Sequence, residues 1–423
     1  MKDRPLTNDR YLITLNRIAI FALLIAILFS IRSTMRGYFY IYNFDVILLG
    51  TLILNILLIY RAGLHISRTE LLFIAVISLF AFWVQVSTFF SPQFGLVTGS
   101  SQTWLRIPAI AWIVITSHEL VYDMSDVYRV AFLLSLIVGL VSLLQFFTKS
   151  AVGTPTYHLG SASPSLITHS IGTERYIRAI GPFTNPNRLG IFIGTLLPLL
   201  FIKPNTKPQK YVRVIVITLA IFSLLASFSR QAFLGVTVAS ALTIFVYSYT
   251  TSTESSLLNR YQNIYFLMIL PVIVISTALA EWLRLDSAIL HLSMRVQRMI
   301  SGLNVILERP ITGTGVGFSV YIENAYAANV DVATTPHNVF IAVAAQTGLT
   351  GFTLFLITAM ILISYLVRSM LQNDSTIYYH LLFICVHIIV TGMFSEHILR
   401  TDLSLWFAIY ASLTIAVVVP DYT

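Results

Sequence analysis

The sequence predicts an all-α polytopic membrane protein of about twelve transmembrane helices, with a large extracytoplasmic loop containing an amphipathic helix. Three observations lead there. Hydrophobic residues make up 57% of the 423-residue chain and charged residues only 10%, where a soluble domain carries about 25% charged residues. The mean hydropathy is +0.81. The apolar residues come in runs near the ~20 residues that cross a bilayer as a helix, unlike the short alternating segments of a β-barrel. Such a chain is solvated largely by lipid. This excludes a soluble enzyme, a nucleic-acid binder and a disordered protein.

Twelve spans are read in order, at 11–31, 43–60, 69–90, 104–119, 128–148, 188–203, 211–227, 231–249, 263–281, 338–366, 377–395 and 402–419. The first follows a basic N-terminus but lacks a small-x-small cleavage site, so it reads as a membrane helix rather than a signal peptide. The fourth is short. The tenth is long and carries Gly348 and Gly351, which predict a broken or strongly tilted helix. The lone Cys385 sits in an apolar run and can form no intrachain disulfide. Residues 1–423 read as a single transmembrane domain, with 282–337 as a large periplasmic loop between the ninth and tenth spans.

Charge sets the orientation. Lys2, Arg4 and Arg10; Arg61 and Arg68; Lys203, Lys207, Lys210 and Arg213; Arg260; and Arg368 all fall on one side of a twelve-span arrangement. The positive-inside rule makes that side cytoplasmic, with both termini. The opposite side holds the long connections 149–187 and 282–337 and the tight turn Ser227–Arg230. Parity keeps these three segments together even if an N-terminal span is miscounted. Long loops are where function concentrates.

Few residues there can carry chemistry. The first loop ends Arg178-Ala-Ile-Gly-Pro-Phe-Thr-Asn-Pro-Asn187, and Asn-Pro-Asn before an apolar run caps the next helix. Arg178, on the side poor in positive charge, reads either as an anion ligand or as a surface arginine. Arg230 lies where two spans meet with almost no loop, and reads as functional or as snorkelling to headgroups. In the second loop, Leu292, Val296, Met299, Ile300, Leu303, Ile306 and Leu307 form one apolar stripe at helical spacing. Arg295 and Arg298 share the opposite face, and Pro310 ends the helix. This predicts a helix lying on the membrane or on the bundle.

Gly313-Thr-Gly-Val-Gly317 follows. Alternate glycines suit either an anion-binding backbone nest or a flexible turn. His337, in Pro336-His337-Asn338 at the mouth of the tenth span, reads as a proton acceptor or as an interfacial histidine. Several arginines with one base, all on one side, fit a phosphate-bearing substrate and a proton to be removed. No spacing suits a metal site. Arginines could instead do the electrostatic work on a pyrophosphate leaving group.

Three stretches resemble the O-antigen ligase and O-antigen polymerase superfamily of bacterial membrane glycosyltransferases. They are Arg178-x-x-Gly-Pro-Phe-x-Asn-Pro-Asn187; Ser229-Arg230; and Pro310-Ile-Thr-Gly313-Thr-Gly-Val-Gly317 with His337-Asn338 and Gly348-x-x-Gly351. The likeness spans roughly 175–355. It implies a glycan donor on undecaprenyl pyrophosphate in the bacterial inner membrane. Transfer would be metal-independent and inverting, at the periplasmic face, without a cofactor. His337 would activate the acceptor hydroxyl. Arg178 and Arg230 would hold the pyrophosphate with Arg295 or Arg298, and Asn338, Gly313, Gly315 and Gly317 would support them. Arg295, Arg298 and Arg309 compete for the loop-arginine role. The acceptor is a lipid-A core sugar for a ligase, another lipid-linked glycan for a polymerase, or a protein hydroxyl.

The rival is a transporter or flippase of lipid-linked oligosaccharide. Such proteins carry ionisable groups deep in their spans. Here the deep polar groups are Asn55, Gln145 and His387, without a central carboxylate. A membrane scaffold would not need arginines gathered with one histidine.

Overall fold

The computed structural model describes residues 10–28, 32–35, 39–62, 66–91, 94–121, 124–153, 168–171, 174–201, 207–250, 285–316, 336–372, 375–395, 399 and 401–418. The ninth predicted span (263–281) and Gly317 lie outside them.

The described helices are α1 (Arg10–Leu28), α2 (Asn43–Ala62), α3 (Arg68–Phe89), α4 (Phe94–Val121), α5 (Met124–Thr148), α6 (Pro186–Leu196), α7 (Lys207–Ala226), α8 (Arg230–Thr250), α9 (Leu285–Glu308), α10 (Val339–Gln372), α11 (Thr376–Met393) and α12 (Thr401–Val418). Among the described residues, six helices are long and apolar enough to cross a membrane. Four shorter apolar helices accompany them. Large apolar side chains such as Leu49, Ile53 and Leu57 of α2 face outward, a surface that only lipid can cover. The chain is an all-α polytopic integral membrane protein.

The spans predicted on described residues coincide with helices. The fourth lies inside a longer helix, α4, which begins at Phe94 and ends at Val121. The sixth changes character. Pro198 has no N–H for a bond to Gly194, and the α-helix gives way to a 3₁₀ segment at Leu197–Phe201. Two short antiparallel hairpins were not expected. They pair β1 (Arg32–Met35) with β2 (Phe39–Tyr42), and β3 (Thr168–Ile171) with β4 (Glu174–Ile177). Both lie in connections between helices, where a ladder can satisfy backbone groups that no helix does.

The packing fixes which helix ends lie together. Helices α8 and α11 run antiparallel: a Cβ added at Gly235 would come 2.6 Å from His387 and from Thr391, while Tyr247 meets Tyr379 with ring centroids 5.0 Å apart. Helices α3 and α10 also run antiparallel. Thr69 bonds Tyr365 at one end, and the Trp83 indole N–H donates to Thr347 O near the other (2.8 Å). One end of the bundle therefore holds the start of α8, the start of α10 and the ends of α3 and α11.

The deep polar groups found in the sequence are structural ties. Asn55 donates to Ser117 Oγ and accepts from Thr116, both at 2.8 Å, joining α2 to α4. Gln145 accepts from the N–H groups of Ile180 (3.0 Å) and Gly181 (2.8 Å) and donates to Gly181 O (2.7 Å) and Val152 O (2.9 Å). It clamps the loop after Arg178 onto α5. His387 sits in a notch left by Gly194 of α6 and Gly235 of α8, with Nε2 3.2 Å from Ile191 O.

Helix α10 is broken, as its glycines predict. Gly348 has φ 68° and ψ 179°, which is not helical. A break inside a span strands backbone groups that lipid cannot satisfy. The segment after α9 takes them over. Thr314 N–H donates to Ala345 O (3.0 Å), Gly315 N–H to Gln346 O (2.9 Å), and Leu349 N–H to Pro310 O (2.7 Å). Helix α3 adds Ser87 Oγ, on Gln346 O (2.7 Å) and Thr312 O (2.5 Å), and Ser91 Oγ, on Thr314 O (2.5 Å).

Candidate functional site

Arg178 is held by the serine-arginine turn. Its Nε donates to Ser227 O (2.8 Å), and one terminal nitrogen donates to Asn187 Oδ1 (2.9 Å) and Phe228 O (3.2 Å). The neighbouring Ala179 N–H donates to Ala226 O (2.9 Å). The last carbonyl of α7, Ala226 O, thus receives an amide, the carbonyls of the turn just past it receive a guanidinium, and the charge complements the helix C-terminus. Phe228 has a positive φ of 47°, which makes the reversal tight enough for α8 to start at Arg230. Gly190 of α6 packs on this turn: a Cβ there would lie 2.8 Å from Ser229 Cβ and from Ala232 Cβ. Arg178 and Arg230 therefore share one junction, formed by α6, α7 and α8.

His337 belongs to a second junction. Asn338 caps α10 through Oδ1, which accepts from Phe340 N–H (2.9 Å) and Ile341 N–H (3.1 Å). Its Nδ2 donates to Met393 O (3.2 Å) at the end of α11. This fixes the residue before it, His337. Across from it, an Arg298 terminal nitrogen lies 2.5 Å from His337 Nε2. Helix α9 comes this close because Gly302, one turn after Arg298, leaves room: a Cβ there would sit 2.6 Å from Ile341 Cγ2 and 3.1 Å from Pro336 Cγ.

The apolar stripe of α9 is on the other side, with Val296, Ile300, Leu303 and Leu307 exposed. The helix thus packs on the bundle with its arginine face and turns its apolar face outward. Of the three competing loop arginines, Arg298 is bonded to the histidine. Arg295 is half-buried one turn earlier. Arg309 lies past the end of α9, where its carbonyl accepts from Gly313 N–H (3.0 Å).

The two junctions occupy the same end of the bundle. In α8, Gly235 follows Arg230 by just over a turn and packs on Thr391, and Met393 bonds Asn338. The glycine turn supports the site as framework. The N–H groups of Gly313, Thr314 and Gly315 all go to backbone carbonyls, so in this arrangement they are not presented to an anion. Gly313 (φ 66°) and Gly315 (φ 83°) lie on this docked segment. A Cβ at Gly313 would come 2.5 Å from the Gln346 backbone.

Sequence reasoning missed Arg188. It stands in the first turn of α6, one residue after the Asn187 that holds Arg178. Like Arg178 and Arg230, it is a cation close to the Ser227–Arg230 turn, on which Gly190 of the same helix packs.

The family comparison bears on this arrangement. Residues 215–356 match the model of a family described as O-antigen ligase. Over that stretch, about a third of the chain, the protein is similar to the O-antigen ligase family. The matched segment starts within α7, takes in Arg230, α9 and His337, and ends just past the break in α10. No curated protein matches the chain. The matched stretch holds the turn, the loop arginines and the histidine, while Arg178 lies outside it and bonds to Ser227 and Phe228.

Proposed function

We propose that this protein is a glycosyltransferase of the O-antigen ligase/polymerase type. It moves a glycan from undecaprenyl pyrophosphate to an acceptor hydroxyl at the periplasmic face of the bacterial inner membrane, in surface polysaccharide biosynthesis. The observation that carries this is the pairing of His337 with Arg298, within the stretch similar to the O-antigen ligase family, at the bundle end where Arg178 and Arg230 meet. His337 takes the acceptor's proton. The acceptor oxygen attacks the anomeric carbon from the face opposite the leaving group, giving inversion. The bond from that carbon to the pyrophosphate oxygen breaks, and the electron pair leaves with undecaprenyl pyrophosphate. Guanidinium groups of Arg178, Arg230 and Arg298 stabilise the growing negative charge.

An apolar cavity of about 350 Å³ supports a lipid-linked donor. It lies among α3, α4, α10, α11 and α12, and its lining includes Val339, Phe340, Phe355, Ile388 and Phe407. Val339 follows directly on His337-Asn338, so an isoprenoid chain there would bring its head group to the histidine.

The test is complementation in a strain lacking the gene, with insertion checked by membrane fractionation. His337→Ala and Arg230→Ala proteins should insert normally and assemble no full-length surface glycan. Full-length glycan from both would overturn the proposal. The product that accumulates on gene loss separates the acceptors. Unligated polymer on the carrier marks a ligase, and single repeats mark a polymerase.

A further inference from the structure

The His337–Arg298 contact has a chemical consequence for the reaction proposed above, on which this inference rests. A guanidinium has five N–H donors and no acceptor. The imidazole Nε2 facing it must therefore accept, and its lone pair is directed at Arg298. The ring proton of the neutral imidazole is then on Nδ1. In this arrangement neither ring nitrogen has a lone pair for an acceptor hydroxyl. The residue placed to act as the base is occupied by the arginine placed to act on the leaving group.

We infer that Arg298 locks His337 through this contact and that the donor's pyrophosphate releases it. A phosphate oxygen accepts a charge-assisted hydrogen bond from a guanidinium, which is about twice as strong as a neutral one. An anion at this end of the bundle therefore outcompetes a neutral imidazole for Arg298. The Nε of Arg298, buried and without a hydrogen-bond partner among the described residues, is a second donor for that anion. Once Arg298 turns to the anion, Nε2 can take the acceptor's proton and the ring becomes imidazolium. The order of events is thereby set: donor first, base second. An acceptor or water arriving before the donor meets a histidine that cannot deprotonate it.

The prediction can be read without any transfer reaction. Diethyl pyrocarbonate acylates an imidazole nitrogen that has a free lone pair. The purified full-length protein in detergent is labelled with and without inorganic pyrophosphate. The rate at His337 is followed by peptide mass spectrometry, relative to the other histidines. Pyrophosphate should raise the His337 rate roughly tenfold or more, the factor for giving up a hydrogen bond to a charged group. Arg298→Met should show the high rate without pyrophosphate and no further response.

An unchanged His337 rate in both arms overturns the lock. A fast Arg298→Met with no pyrophosphate effect in the unmodified protein overturns release by the anion. Either result leaves the glycan-assembly test standing, and failure of that test leaves the labelling result intact, so the two ideas fail separately.

Discussion

Replacing Gly348 with alanine should destabilise the protein by roughly 5 kcal/mol. The figure has two parts. Gly348 combines φ 68° with ψ 179°, a region open essentially to glycine, where another residue costs about 1–3 kcal/mol. The new Cβ would also overlap the Ile311 carbonyl. That is backbone, so the loop must move away. Moving it breaks the bonds from Thr314 to Ala345, Gly315 to Gln346 and Leu349 to Pro310, each contributing about 1 kcal/mol. Gly50→Ala in α2 is the control, because a Cβ there meets nothing within 4 Å. It should be neutral or slightly stabilising. The assay is thermal unfolding in detergent of the two variants beside the unmodified protein, together with glycan assembly in cells. Gly348→Ala should melt well below Gly50→Ala and lose activity. If the two melt together, the docked-loop account of the break is wrong.

Gln145→Leu removes four hydrogen bonds and strands the N–H groups of Ile180 and Gly181. It should cost about 3 kcal/mol, while Gln145→Glu, which keeps the acceptor, should lose less; unfolding in detergent would separate them. The bidentate pair of Arg106 and Asp45, at 2.5 and 2.7 Å, joins α4 to α2. Arg106→Ala should destabilise by roughly 3 kcal/mol because a carboxylate is left without its partner. The Asp45→Ala/Arg106→Ala double variant should recover much of that loss in a double-mutant cycle.

The helices were legible because each span needs its own apolar run, and composition alone reports that. The broken tenth span was legible too, since Gly348 and Gly351 sit where lipid-facing helix would avoid them. The choice among loop arginines was not read from the sequence. Helical spacing puts Arg295 and Arg298 on the same face, and only a contact across 39 residues of chain picks Arg298. A clue existed in Gly302, one turn beyond Arg298, which marks the face that approaches a neighbour. The glycine turn stayed open for a different reason. Alternating glycines suit an anion nest and a docked backbone equally, and the carbonyls that decide between them come from α10. Scarcity of charge singled out Arg178 and Arg230, which the structure brings to one junction, yet it passed over Arg106, whose partner Asp45 is 61 positions away.

The break in α10 also frees the two halves of that span from each other's winding. Along an unbroken helix, inserting one residue rotates everything beyond it by about 100°. Here residues 339–347 are anchored to the loop, to α3 and, through Asn338, to α11. The direction of His337 is set by those anchors and not by how many residues follow Gly348. The lower half of the span can therefore lengthen, shorten or retwist to suit a bilayer of different thickness while the histidine keeps its aim.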